Sequence, residues 1–208
     1  MINPVSNTTA GNKVINHFIR SWHLVIIIIC LITLFTGDLA HDYKKPEFNG
    51  FIIHGWMGLV FGVFLCLYLG YGFAGPRGSR FSTWFPFTGN QPAQIKKDFT
   101  TLMGFQLPEH KSRQGLAGLI QFLGILVFSW AALTGALLFL FIEPGSKVRG
   151  ILHAVKEGHE VGVMLIPLYL ALHIGAVLAH SLSGRPVWRD IFFRKGNSVA
   201  ETAPIEQK

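Results

Sequence analysis

The chain has 208 residues, half of them hydrophobic and only 14% charged, with a formal net charge of +7. A soluble domain of this size carries nearer a quarter charged residues. The excess of positive charge does not require nucleic-acid binding, because its placement along the chain follows membrane topology.

Four stretches are almost free of charge: Leu24 to Gly37, Phe51 to Gly75, Gln114 to Ile142 and Val161 to Ser183. Crossing the hydrocarbon takes about 20 apolar residues as a helix, which the last three exceed and the first reaches once Phe18 to His23 are added. No strand-like alternation competes, and in lipid the backbone must satisfy itself. The expected fold is therefore all-α, a bundle of four transmembrane helices.

In chain order, residues 1–17 form a polar segment, loose up to residue 16, ahead of helix 1 at about 18–37. A signal peptide is the alternative for this first run. However, the apolar run continues to Thr36, and Asp38-Leu39-Ala40-His41 makes a poor cleavage site. A short loop leads to helix 2 at about 51–73. The longest connection, Ala74 to Arg113, opens with the helix-breaking Gly75-Pro76-Arg77-Gly78. Within it Ile95, Phe99, Leu102 and Met103 fall at helical spacing, with Lys96, Lys97 and Asp98 opposite and Pro92 at the start, as in a helix lying on the membrane surface. Helix 3 follows at about 115–142, then a loop with Glu143-Pro144-Gly145, then helix 4 at about 158–182. Val187, Trp188, Ile191 and Phe192 oppose Arg185, Arg189 and Arg194 in a second interfacial helix. The membrane domain thus covers 18–196, and 197–208 reads as a disordered tail.

The N-terminal segment, the middle loop and the C-terminal tail hold 13 of the 18 Lys and Arg. By the positive-inside rule both termini are cytoplasmic. Of the two cysteines, Cys30 and Cys66, neither belongs to a CxxC motif, and the absence of CxxCH rules out c-type haem attachment. Both read as small apolar side chains.

Nine histidines are present, and an ionisable group within a span is a candidate functional residue by default. His41, His110 and His153 fall in predicted loops. His17, His23, His54, His159, His173 and His180 lie on or at the ends of spans. At 1.5 Å per residue from each helix midpoint, His54 lies about 12 Å and His159 about 16 Å towards the outer face, whereas His23 lies about 8 Å and His173 about 5 Å inward. Two matched levels result, His54 with His159 and His23 with His173. His159 and His173 share a helix face within about 40° and stand roughly 21 Å apart along the axis, a spacing suited to two stacked haems. Neutral imidazoles ligate haem iron, and a pair closes both axial positions, leaving electron transfer as the chemistry.

The inner level has an alternative. His180 shares the His173 face but lies about 15 Å inward, level with His17, where both would meet water. Arg20, three residues before His23, and Arg77 and Arg80 beyond helix 2 are candidates to neutralise a haem propionate. Equally, they satisfy the positive-inside rule. Gly58 and Gly62 follow His54 at i+4 and i+8, and Gly162 follows His159 at i+3. These leave room for a flat macrocycle, or serve small-residue helix packing. Helix 3 lacks histidine and reads as a packing wall, with Gln121, Ser129 and Thr134 available for bonds across helices.

Arg20-Ser21-Trp22-His23 with Thr36-Gly37, Ile53-His54 with Gly58, and His159-Glu160 through His173-Ile174 resemble the helix patterns of the prokaryotic cytochrome b561 and nickel-hydrogenase b-type cytochrome family. The segment Leu69-Gly70-Tyr71-Gly72-Phe73-Ala74-Gly75-Pro76-Arg77 with Ser79-Arg80-Phe81 resembles the subgroup often paired with c-type cytochromes. The resemblance covers nearly the whole chain. It implies two non-covalent b haems held at His23, His54, His159 and His173, and electron exchange with membrane quinone or with a periplasmic redox subunit, such as a c-type cytochrome or a dehydrogenase or hydrogenase subunit. The reading is a di-haem cytochrome b of a bacterial inner membrane, serving a respiratory complex. Two rivals are a transporter using histidines as a metal or proton relay, for which Glu160 is the only acidic residue in a span, and a redox-inactive membrane anchor.

Overall fold

The computed structural model describes residues 8–44, 48–75, 80–108, 114–143, 145–184 and 188–192. The helices are α1 (Thr8–Thr36), α2 (Asn49–Ala74), α3 (Gln91–Met103), α4 (Gly115–Phe141), α5 (Ile151–Leu182) and α6 (Trp188–Phe192), with 3-10 turns at Gly37–Lys44 and Phe81–Thr83. The described residues contain no strand.

Four helical segments are long and apolar enough to cross a membrane: Arg20–His41, Asn49–Ala74, Gly115–Phe141 and Ile151–Leu182. The 26 residues of α2 extend about 39 Å, more than the roughly 30 Å hydrocarbon core. Large apolar side chains stand outward along the spans, Phe35 at 81% and Met164 at 75% exposure among them. Such exposure suits contact with lipid chains, because the surrounding solvent is itself apolar.

The helices outrun the apolar runs that announced them. α1 begins at Thr8, so the loose segment expected up to residue 16 is helical from that point; no proline interrupts the backbone ladder there. α5 begins at Ile151 and not near 158, which puts His153 in its first turn and not in a loop. The physical reason is a charged overhang stabilised by pairs one turn apart. His153 Nδ1 lies 3.8 Å from Glu157, and Lys156 pairs with Glu160. His41, also expected in a loop, sits in the first 3-10 turn with its Nδ1 3.1 Å from the Asp38 carbonyl.

Consecutive spans pair, α1 with α2 and α4 with α5, and α2 packs on α4 to join the two hairpins. α4 is therefore the wall expected of a span without histidine. By contrast, α5 makes no more than marginal contact with α1 and α2. One buried cluster, Phe48, Phe51, Leu138 and Ile142, closes the end that carries the two short connections, called here the hairpin end. A second, Cys30, Phe61 and Leu65, fills the seam between α1 and α2. Both cysteines are free, Cys30 buried and Cys66 exposed. α3 and α6 lie at the opposite, terminal end.

α3 is the amphipathic helix expected from its spacing, with Phe99, Leu102 and Met103 exposed. Asp98, however, does not join Lys96 and Lys97 on the solvent face; it is only 6% exposed. Its Oδ2 accepts the Leu116 backbone N–H at 2.9 Å and its Oδ1 accepts from Gln94 Nε2 at 2.6 Å, while Gln91 Oε1 accepts the Gly115 N–H at 3.0 Å. α3 thus caps the first turn of α4, whose own Gln114 provides no side-chain cap. A carboxylate there meets the unpaired N–H groups and the positive end of the helix dipole. Gly115 has φ +58°, and a side chain on it would run into the Asp98 carboxylate. We expect Asp98→Ala to cost about 2 kcal/mol and to lower the thermal midpoint in detergent by roughly 4–8 °C. An unchanged midpoint would show that the cap contributes nothing.

Candidate functional site

Four of the six histidines on or at the ends of the spans meet in two pairs. At the hairpin end the His54 ring of α2 faces His159 of α5, with centroids 6.4 Å apart. Deeper in the bundle His23 of α1 faces His173 of α5 at 6.2 Å. Both pairs bridge the gap where α5 fails to pack on α1 and α2. Among the described residues no three His, Cys, Asp or Glu side chains gather to hold a bare ion, so the unit is a pair of imidazoles.

The separations can be tested against a haem. With iron–nitrogen bonds of about 2 Å and roughly 1 Å from each nitrogen to its ring centre, two axial imidazoles hold their centroids about 6 Å apart. Both pairs meet that condition. The macrocycle also needs a slot, and Gly58, one turn beyond His54, faces open space: a Cβ there would find nothing within 4 Å. The donor set fits the group, since imidazole is a standard axial ligand and the porphyrin supplies the remaining four nitrogens.

Gly162 serves a different purpose. A Cβ there would strike the Trp130 indole, whose Nε1 donates to the Gly158 carbonyl at 2.7 Å. This glycine belongs to the α4–α5 seam. Gly62 also faces the packing: a Cβ added there would lie 3.9 Å from Ala132, an ordinary contact.

Further residues support the histidines, and two of them, Gly135 and Tyr169, follow no pattern in the sequence. Gly135 of α4 makes room for His159, because a Cβ there would come within 3.0 Å of the imidazole Cε1. Thr36 Oγ1 lies 3.3 Å from His54 Nδ1, and Tyr169 stacks on the His173 ring at 5.7 Å and 19°. Of the residues expected to bond across helices, Thr134 Oγ1 reaches His159 Nδ1 at 3.0 Å and Gln121 Nε2 donates to the Tyr68 hydroxyl at 2.8 Å. Ser129 forms no side-chain hydrogen bond among the described residues. That these threonines reach His54 and His159 in particular follows no local pattern, because each histidine lies on another helix.

The remaining candidates fall as follows. Arg20 lies partly buried on α1, one turn before His23. Arg80 is exposed, and its Nε donates to the Gly75 carbonyl at 2.7 Å, at the C-terminal cap of α2. Arg77 and the side chain of His17 lie outside the described residues. His180 is half-buried two residues before the end of α5. An apolar cleft of about 610 Å³ between α1 and α2 is lined by Trp22, Cys66, Leu67, Gly70, Tyr71, Ala74 and Gly75.

Four apolar spans make this a multi-pass membrane protein built as a helical bundle. The chain belongs to the prokaryotic cytochrome b561 family, whose model matches residues 14–194. No curated protein and no solved structure gives a match. Membership makes the chain a transmembrane b-type cytochrome of electron transfer.

Proposed function

We propose that the protein holds two b haems, one between His54 and His159 and one between His23 and His173, and passes electrons between membrane quinone and a redox protein on the periplasmic side of a bacterial inner membrane. The observation that carries the reading is the pair of ring separations, 6.4 and 6.2 Å, set at two levels of one bundle. When bound, each haem would supply a one-electron couple. The chain's own residues do the rest: the imidazoles fix the positions of the two centres, α4 holds α5 in register, and the apolar spans keep water from the interior.

The two ends suit different partners. The apolar cleft at Trp22 and Tyr71, one residue from His23, offers an isoprenoid-tailed quinone a route from the lipid. The hairpin end exposes Asp38, Lys44, Glu143, Lys147 and Arg149, a mixed-charge surface for a soluble partner such as a c-type cytochrome or a dehydrogenase subunit. The side chains of Asp42, Lys45 and Glu47, expected to contribute there, lie outside the described residues. On the positive-inside rule this end faces the periplasm, and Arg20 and Arg80, towards the cytoplasmic face, are the candidates to neutralise inner-haem propionates. The relay alternative loses its acidic residue, because Glu160 is exposed and paired with Lys156.

The deciding measurement is a pyridine haemochromogen assay on the purified holoprotein. We expect two haems per chain, both removed by acidified organic solvent because no thioether bond exists. A preparation with one haem, or with haem resisting extraction, would sink the di-haem reading.

A further inference from the structure

The two histidines at the hairpin end share a device that the inner pair lacks. Thr134 Oγ1 lies 2.7 Å from the Trp130 carbonyl, one turn back on α4, and 3.0 Å from His159 Nδ1. Thr36 Oγ1 lies 2.9 Å from the Ile32 carbonyl on α1 and 3.3 Å from His54 Nδ1. A carbonyl can only accept, so each hydroxyl proton is committed to its own helix backbone. What remains for the imidazole is an oxygen lone pair, and Nδ1 must therefore carry the proton. Nε2 is left as the bare nitrogen on both histidines. Among the described residues no hydrogen bond reaches His23 or His173, and the latter has the Tyr169 ring against it instead.

We propose that Thr36 and Thr134 are positioning residues that lock His54 and His159 in the Nδ1–H tautomer and lower the reduction potential of the haem between them. The inference rests on the di-haem reading above. A hydrogen bond accepted from the far nitrogen of a ligating imidazole orients the ring and makes the ligand more basic. A more basic ligand favours ferric over ferrous iron. The hydroxyls thus hold the outer centre at a lower potential than its imidazoles alone would give.

The test is redox titration of the purified holoprotein, following each haem by its absorbance, in Thr36→Val/Thr134→Val. Valine keeps the branched shape and removes the hydroxyl. Outer-shell partners of metal ligands typically matter by 10–100-fold. The expected result is a shift of the outer-haem equilibrium towards ferrous of about tenfold, or about 59 mV for a one-electron couple, with the inner haem unmoved. A rise of threefold or more supports the assignment; a smaller rise, a fall, or an equal shift of both haems overturns it. If the double variant does not accumulate, each single variant is read alone, with about threefold expected from each. Thr36→Ser/Thr134→Ser restores the hydroxyls and should restore the parent potential; failure to do so would assign the effect to lost packing and overturn the proposal. His54→Ala, assayed for haem in parallel, separates the two levels of argument. Full haem retention there refutes the ligand assignment itself, whereas haem loss there with an unmoved potential in the threonine variants refutes only the tuning role.

Discussion

Replacing His54 or His159 with alanine is expected to cut the haem content roughly by half and to abolish one of the two redox transitions, leaving the other in place. The two ligands of one iron sit on different helices, so either substitution opens the same site, and the double variant should be no worse than each single one. Such non-additivity is the mark of residues acting as a unit. His173→Ala should remove the other haem. His180→Ala should remove neither, because the ring facing His23 is that of His173, seven residues earlier on α5. Spectroscopic haem counts on the four variants decide the matter. A protein that loses haem with His180→Ala but keeps both with His173→Ala would show the inner ligand to be misassigned by two turns.

The second large effect concerns work done across the membrane. The two levels, about 21 Å apart along α5, form a two-step path between a lipid-facing cleft and a charged loop surface. In proteoliposomes supplied with quinol and an external c-type cytochrome, the unmodified protein should reduce the acceptor. His54→Ala and His173→Ala should each fall to the rate of protein-free vesicles, since each removes one step. Equal rates for His54→Ala and the parent would mean that electrons leave without the outer centre, and the proposed direction of coupling would be wrong.

The spans and the histidine pairing were legible in the sequence because both follow from one-dimensional rules. Charge-free length marks a span, and helix rise with alternating direction sets the depth of His23, His54, His159 and His173. Helix ends were less legible, since hydropathy reports the part of a helix in lipid and says nothing of the overhang. α5 therefore starts seven residues before the expected position, on the charged turn that includes Lys156 and Glu157. Asp98 was read as a solvent-facing charge because it adjoins two lysines in sequence. Its partners, the Leu116 N–H and Gln94, become visible only once α3 folds onto α4. Thr134 bonds across helices as expected, but its particular partner His159, like the histidines beside Thr36 and Gly135, becomes visible only once the helices pack.

The asymmetric packing of α5 also bears on how the molecule is made. α1 and α2 form one hairpin and α4 and α5 another, and each histidine pair draws one member from each hairpin. Both pairs, moreover, take a member from α5, the last of the four described spans to leave the ribosome. Whatever a pair grips, it can grip only after α5 has entered the bilayer. A nascent chain that has not yet reached α5 carries half of each pair, so neither pair can close until the second hairpin is made.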